Sequence, residues 1–134
     1  MLKLEIVTPE KRVFDAEVES VTVPTASGEA GIFPNHAPLV SALKPGILSY
    51  SQKGGSEKLA VSGGFVEVSG NKVPVLADTA ETSDEVDLDS ARTDREAAEK
   101  ALAAAASSPV EENAPLQQKL DSANARIAIS GAAK

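Results

Sequence analysis

The sequence predicts an all-β N-terminal domain, a sandwich or flattened barrel of short strands, followed by an α-helical hairpin. Three observations predict it. Apolar and polar residues alternate at period two in short stretches as far as Ala77. All four aromatic residues and eight of the nine glycines lie before Asn71, whereas 14 of the 22 alanines lie after Asp87. Glycine, valine and aromatics favour turns and sheet, and alanine favours helix. The chain therefore divides into residues 1–84, the β domain, and residues 85–134, an antiparallel helical pair.

The strands follow in order. Leu2, Leu4 and Ile6 alternate with Lys3 and Glu5, the pattern of a half-buried strand. Phe14, Ala16 and Val18 alternate with Asp15 and Glu17, and the apolar phase then slips by one to Val21 and Val23. Such a slip within one strand predicts a β-bulge near Glu19 and Ser20. Strands are expected over 39–43, 47–52 and 57–62, the last two joined by a turn at Lys53-Gly54-Gly55-Ser56. Two more, 65–69 and 73–77, flank Gly70-Asn71. Short strands at intervals of roughly 8–12 residues are the signature of a sandwich or barrel.

Between the strands at Val23 and Leu39, residues 28–38 carry two glycines, two prolines and the chain's one histidine, His36. Glycine tolerates positive φ and proline fixes φ near −65°, so this segment is expected to be one defined loop rather than a loose connector. A rigid loop on a rigid body is where contact functions sit.

Asp87 is placed to cap a first helix running to about Ala106, with Asp89 in its first turn. Leu88, Ala91, Arg95, Ala98, Leu102 and Ala105 recur at three- and four-residue steps and form one stripe, and Glu96 with Lys100 forms an i,i+4 pair. Ser107-Ser108-Pro109 ends that helix, and Asn113 with Pro115 can open a second. On it, Leu116, Leu120, Ala123 and Ile127 share a face, with Gly131 as C-terminal cap. The shared stripe is mostly alanine and buries little area, so at roughly 25 cal/mol per Å² the pair holds itself together weakly. It must lean on the β domain or on another protein.

Composition excludes several functions. The net charge is −7, from 20 acidic and 13 basic residues, which argues against nucleic acid as the main partner. There is no cysteine, so disulfides, thiolate metal sites and cysteine nucleophiles are out. No apolar run of 18 residues and no signal-like start point to a soluble, cytosol-facing protein. His36 has no second histidine and no acidic neighbour at ligand spacing, so it reads as a loop or interface residue. The acidic run Asp78, Glu81, Asp84, Glu85, Asp87 and Asp89 reads as a solvated linker rather than a metal site. No nucleophile, base and orienter set is present, which points away from an enzyme, with no catalytic residue and no metal expected.

The order of several blocks is specific. Val23-Pro24-Thr25 is followed by Gly28, Gly31, Ile32, Pro34, His36 and Pro38, then Leu43-Lys44-Pro45-Gly46. Gly63-Gly64-Phe65-Val66-Glu67-Val68 and Val75-Leu76-Ala77-Asp78-Thr79-Ala80-Glu81 come next, ahead of the Ala-rich hairpin. Over nearly its whole length the chain resembles the epsilon-subunit family of rotary F-type ATP synthases. The resemblance implies a ten-stranded sandwich with a C-terminal hairpin, in a non-catalytic central-stalk subunit that couples proton-driven c-ring rotation to the catalytic head. It implies a ring-contact loop at Glu29, Ile32 and His36 shaped by Gly28, Gly31, Pro34 and Pro38, and contact with the γ subunit near Thr8 and Ala37. Its expected place is the cytoplasmic face of a bacterial inner membrane, peripheral and held by the complex.

The resemblance also makes the hairpin a regulator. Folded on the sandwich it permits rotation; extended along γ toward the α and β subunits it blocks ATP hydrolysis. Some family members bind ATP in the folded hairpin through a motif that Leu88, Asp89 and Arg92 match, with Arg126 on the second helix. Thr93 replaces the motif's alanine and Ser122 stands where a second arginine would be, which halves the cationic charge. ATP is thus expected as a weak regulatory ligand and not as a required cofactor. From Asp87 on, six basic residues face eight acidic ones, a net −2, so electrostatic docking of an extended hairpin is weak. A free-standing nucleotide-sensing module built on Asp89, Arg92 and Arg126 is the alternative; a hydrolase using paired carboxylates between Asp78 and Asp89 is a third.

Overall fold

The structure, a computed structural model, describes residues 1–35, 37–105 and 110–130. The expectations for His36, for Ser107-Ser108-Pro109 and for Gly131 lie outside the described residues. Ten strands are present among the rest: β1 (Leu2–Val7), β2 (Arg12–Val18), β3 (Ser20–Thr25), β4 (Gly28–Ile32), β5 (Leu39–Ala42), β6 (Gly46–Gln52), β7 (Gly55–Ser62), β8 (Phe65–Val68), β9 (Lys72–Leu76) and β10 (Thr79–Thr82). They form two five-stranded sheets, ordered β2-β1-β9-β8-β5 and β10-β7-β6-β3-β4. All neighbouring strands pair antiparallel except β1 with β9.

The period-two residues meet between the sheets. Leu2, Leu4, Ile6, Val66, Val68, Val73 and Val75 come from the first sheet, and Val21, Val23, Ile32, Leu48, Leu59 and Val61 from the second, all nearly inaccessible. Each such aliphatic burial contributes about 1.5–3 kcal/mol. At one side the rings of Phe14 and Tyr50 stack at 4.4 Å between centroids.

Three expectations are corrected here. The phase slip after Val18 is no bulge. Val18 pairs with Leu2 in the first sheet, whereas the Glu19 N–H donates to the Ser51 carbonyl at 2.7 Å and Ser20 pairs with Ser51 in the second. The chain changes sheets at Glu19, so Val18 and Val21 enter one core from opposite sides. Second, residues 28–32 are the edge strand β4 and not loop; with two glycines in five residues their alternation is hidden. Third, the acidic run is not all linker, because β10 pairs along β7 and buries Ala80.

Two helices follow, α1 (Leu88–Ala104) and α2 (Val110–Ile129). Asp87 caps α1, its Oδ1 accepting from the Ser90 N–H at 3.1 Å. Within the stripe read from sequence, Ala91 and Ala98 are the buried members, and Glu96 meets Lys100 at 3.6 Å. The second helix opens earlier than expected, with Pro115 inside it. Asn113 does not start it; its Nδ2 donates to the Ala105 carbonyl at 3.3 Å and so closes the end of α1. Besides Ala123 and Ile127, α2 buries Ala125 and Ile129, a second face laid on Ala60 and Ile47 of the outer side of β6 and β7, with Val86 beside them. The hairpin therefore rests on the sandwich through α2, and α1 packs on α2.

Candidate docking surfaces and the hairpin clamp

Because β4 is a strand, the residues expected as one contact loop separate into two groups. Gly28 and Glu29 follow the two-residue turn at Ala26 and Ser27, whereas Pro34 and Pro38 lie beyond the other end of β4, past a strand span of about 13 Å. The turn is held tightly. Thr25 Oγ1 donates to the Gly28 carbonyl at 2.5 Å and accepts from the Ser27 N–H at 3.3 Å, and Gly28 sits at φ +118°, where a side chain would be strained. Glu29 and Gly31 are exposed, but Ile32 is core, so it braces the strand from beneath. At the far end Asn35 adopts φ +67° and donates its N–H to Asn71 Oδ1 at 2.8 Å, which ties the residues just after β4 to the β8–β9 turn.

The outer face of the first sheet carries a feature that the alternation analysis passed over. Val7 pairs with Leu76, Leu76 with Phe65 and Phe65 with Ala42, one row crossing four strands. Phe65 and Leu76 are 58% and 56% exposed, and Val40, two residues from Ala42 on the same face, is 73% exposed. Thr8 continues β1 beside this row, and Ala37 precedes β5. The signal was present in sequence: Phe65 and Leu76 occupy the polar phase of strands whose other phase is already valine. Large apolar residues clustered on an outer sheet face mark a contact surface. The Ala26 N–H donates to the Ala42 carbonyl at 3.0 Å, so the row adjoins the turn that leads into Gly28 and Glu29.

On the opposite side, Arg126 of α2 joins three elements. Its Nε lies 2.7 Å from Glu81 Oε1 on β10, and Nη1 donates to Asp94 Oδ2 on α1 at 3.2 Å. The Glu81 carboxylate sits off the N–H direction, so that contact is Coulombic more than a directed hydrogen bond. Nearby, Glu85 accepts from the Thr82 N–H at 3.0 Å and from Lys11 Nζ at 3.0 Å. These bonds hold the Glu85 carboxyl below its ordinary value of 4.5, the Thr82 backbone first and Lys11 second. A cleft of about 710 Å³ opens between the helices, lined in part by Ser62, Asp94, Lys119, Ser122 and Arg126. Leu88, Asp89 and Arg92 do not line it; they stand on the first turns of α1, Asp89 and Arg92 exposed, with Thr93 Oγ1 donating to the Asp89 carbonyl. No metal-ligating cluster occurs among the described residues, and no described helix is long and apolar enough to cross a membrane.

Comparison with known proteins points one way. A family model described as the beta-sandwich domain of the ATP synthase Delta/Epsilon chain matches residues 1–83. An ATP synthase epsilon chain from Desulfitobacterium hafniense (strain Y51) is 54% identical over 99 residues, covering 74% of this chain and 75% of that one. Another, from Nitratidesulfovibrio vulgaris (strain DP4), is 43% identical over 131 residues, 98% and 90% of the two chains. A chain in the Euglena gracilis mitochondrial ATP synthase (OSCP/F1/c-ring, rotational state 1) superposes with a TM-score of 0.75 at 25% identity, covering 95% of this chain and 79% of that one. A chain of the Tetrahymena thermophila central stalk and c-ring shares the fold, with a TM-score of 0.55 at 21% identity, covering 63% of this chain and 69% of that one.

Proposed function

The chain belongs to the ATP synthase epsilon-chain family and is a non-catalytic central-stalk subunit of an F-type ATP synthase; from that premise we propose that its sandwich joins γ to the c-ring while its hairpin restrains ATP hydrolysis. The observation that carries this reading is the exposed row Val7, Leu76, Phe65 and Ala42 with Val40 beside it. A rotor that transmits torque needs a wide, rigid seat on the shaft. A sheet face supplies one, since its side chains are fixed by the ladder beneath them. Apolar residues there lose water on docking, which favours association without demanding matched charges.

In this reading γ covers the row and its borders at Thr8 and Ala37. The c-ring faces the adjoining turn, with Gly28 shaping it and Glu29 projecting from it. The two surfaces share the Ala26–Ala42 hydrogen bond, so load passes from one partner to the other through a short run of backbone. The hairpin, docked on the sandwich here, acts by release toward the α and β subunits. ATP would be a weak ligand of it, because Arg126 already holds two carboxylates and Leu88, Asp89 and Arg92 are not at the cleft. The assembled site is peripheral, on the cytoplasmic side of a bacterial inner membrane.

Titration of isolated γ with the wild-type chain and with Phe65→Asp tests the seat. Phe65 is exposed, so the variant should keep the wild-type melting temperature and bind γ at least about tenfold more weakly, roughly 1.4 kcal/mol. Equal affinity for both chains would remove γ from this face.

A further inference from the structure

The apolar contact between hairpin and sandwich is thin. It consists of Ala125 and Ile129 on Ala60, with Ile47 and Val86 at its border. Most cations of the helices do nothing for it: Arg95 meets Glu99 and Lys100 meets Glu96, each within α1. Among the described residues Arg126 alone pairs beyond its own helix, and it does so twice. Its side chain is only 18% exposed. A guanidinium so placed is screened less by salt than an exposed one, and removal of Glu81 leaves it poorly solvated with only the exposed Asp94 as partner.

We infer that Arg126 is the positioning residue of the hairpin, a clamp that keeps α2 seated on the sandwich through Glu81 and keeps α1 on α2 through Asp94. The inference rests on the regulatory reading above only for its consequence in the enzyme. Its physical content is that an ion triad, and not the thin apolar contact alone, selects the docked state. The triad spans β10, α1 and α2, so both helices are fixed by one side chain. Loss of Arg126 frees the pair together, since α1 stays packed on α2 while the hold on the strand is gone. Glu81 stands on an edge strand that, among the described residues, pairs only with β7, so the clamp also fastens that edge.

The chain has no cysteine, so one label can be placed at Lys58→Cys on β7 and one at Ala128→Cys on α2, both exposed positions. The distance distribution between spin labels then reports docking in the full-length protein. Wild type should give one short distance. Arg126→Met keeps the apolar stem and removes the charge; it should raise the ratio of released to docked hairpin by about tenfold or more. Glu81→Gln should shift it in the same direction, and Arg126→Lys should restore part of the docked population. Amide exchange of β1 to β9 should stay as in wild type in every variant. A single short distance in Arg126→Met, or no shift in Glu81→Gln, overturns the clamp. If the hairpin is released yet ATP hydrolysis by the assembled enzyme is unchanged, the clamp stands and the regulatory reading falls.

Discussion

At the scale of single residues, the sandwich is adjusted by close approaches and short ion pairs. Gly64, at φ +95°, leads into β8 where an added Cβ would meet the Leu76 carbonyl, so this turn admits no side chain. Lys3 meets Asp15 across the β1–β2 pair at 2.7 Å, and the bond to Lys3 holds the Asp15 carboxyl below its ordinary value. Glu85 does comparable work where β10 passes into α1. Its folded-state pKa lies below 4.5, the value of an ordinary glutamate, because it accepts from the Thr82 backbone and from Lys11. A depressed carboxyl adds stability that is present above the unfolded value and is lost as pH falls through the folded one. Glu85→Gln should therefore flatten the acid limb of a denaturation series below about pH 4.5. It should cost only about 0.5 kcal/mol at pH 7, as expected for a partly exposed pair. An acid limb as steep as that of wild type would show that Glu85 does not titrate with folding.

At the scale of elements, the second face of α2 decides whether the hairpin is a part of the body or an appendage. Ile129 is buried against Ala60, and an unpaired carboxylate there would be desolvated. Ile129→Asp should detach the helices without unfolding the sheets: amides of α2 lose protection by at least about tenfold while those of β1 and β9 keep theirs. Uniform loss of protection would mean that the hairpin and sandwich fold as one unit. That face was invisible to a single-stripe analysis. Leu116, Leu120, Ala123 and Ile127 satisfied the helical period, and Ala125 and Ile129 lie on a side the period did not require. The strands with strong alternation, β1, β6, β7 and β9, were legible because their inward residues are Leu, Ile, Val and Tyr. In β4 and β10 glycine, alanine, threonine and glutamate leave no such contrast, and pairing alone makes them strands. The docking row was hidden for a related reason: Leu76 and Phe65 become neighbours only through register, 11 residues apart in sequence. Arg126 stands out in the sequence only through the family resemblance, and its partners do not stand out at all, since Glu81 and Asp94 are brought to it by the fold.

At the scale of the whole molecule, the core and the hairpin are nearly independent. Every member of the main core cluster lies between Leu2 and Ala80, and the family match ends at residue 83. The helices add a small second cluster and the Arg126 triad. A chain ending at Asp84 should therefore keep its sheets, and it retains Phe65, Leu76, Glu29 and the rest of both proposed seats. Coupling and regulation can then be separated by one comparison. Enzyme assembled with the truncated chain should still pump protons on ATP hydrolysis, because the seats are intact, and should hydrolyse ATP faster, because no hairpin is left to be released. The gain should be modest, about two- to threefold, since a segment of net charge −2 gains little from electrostatic docking. Assembly lost on truncation would place a stalk contact in the helices. Unchanged hydrolysis with pumping intact would leave the chain a purely mechanical part, its hairpin idle in the direction of hydrolysis.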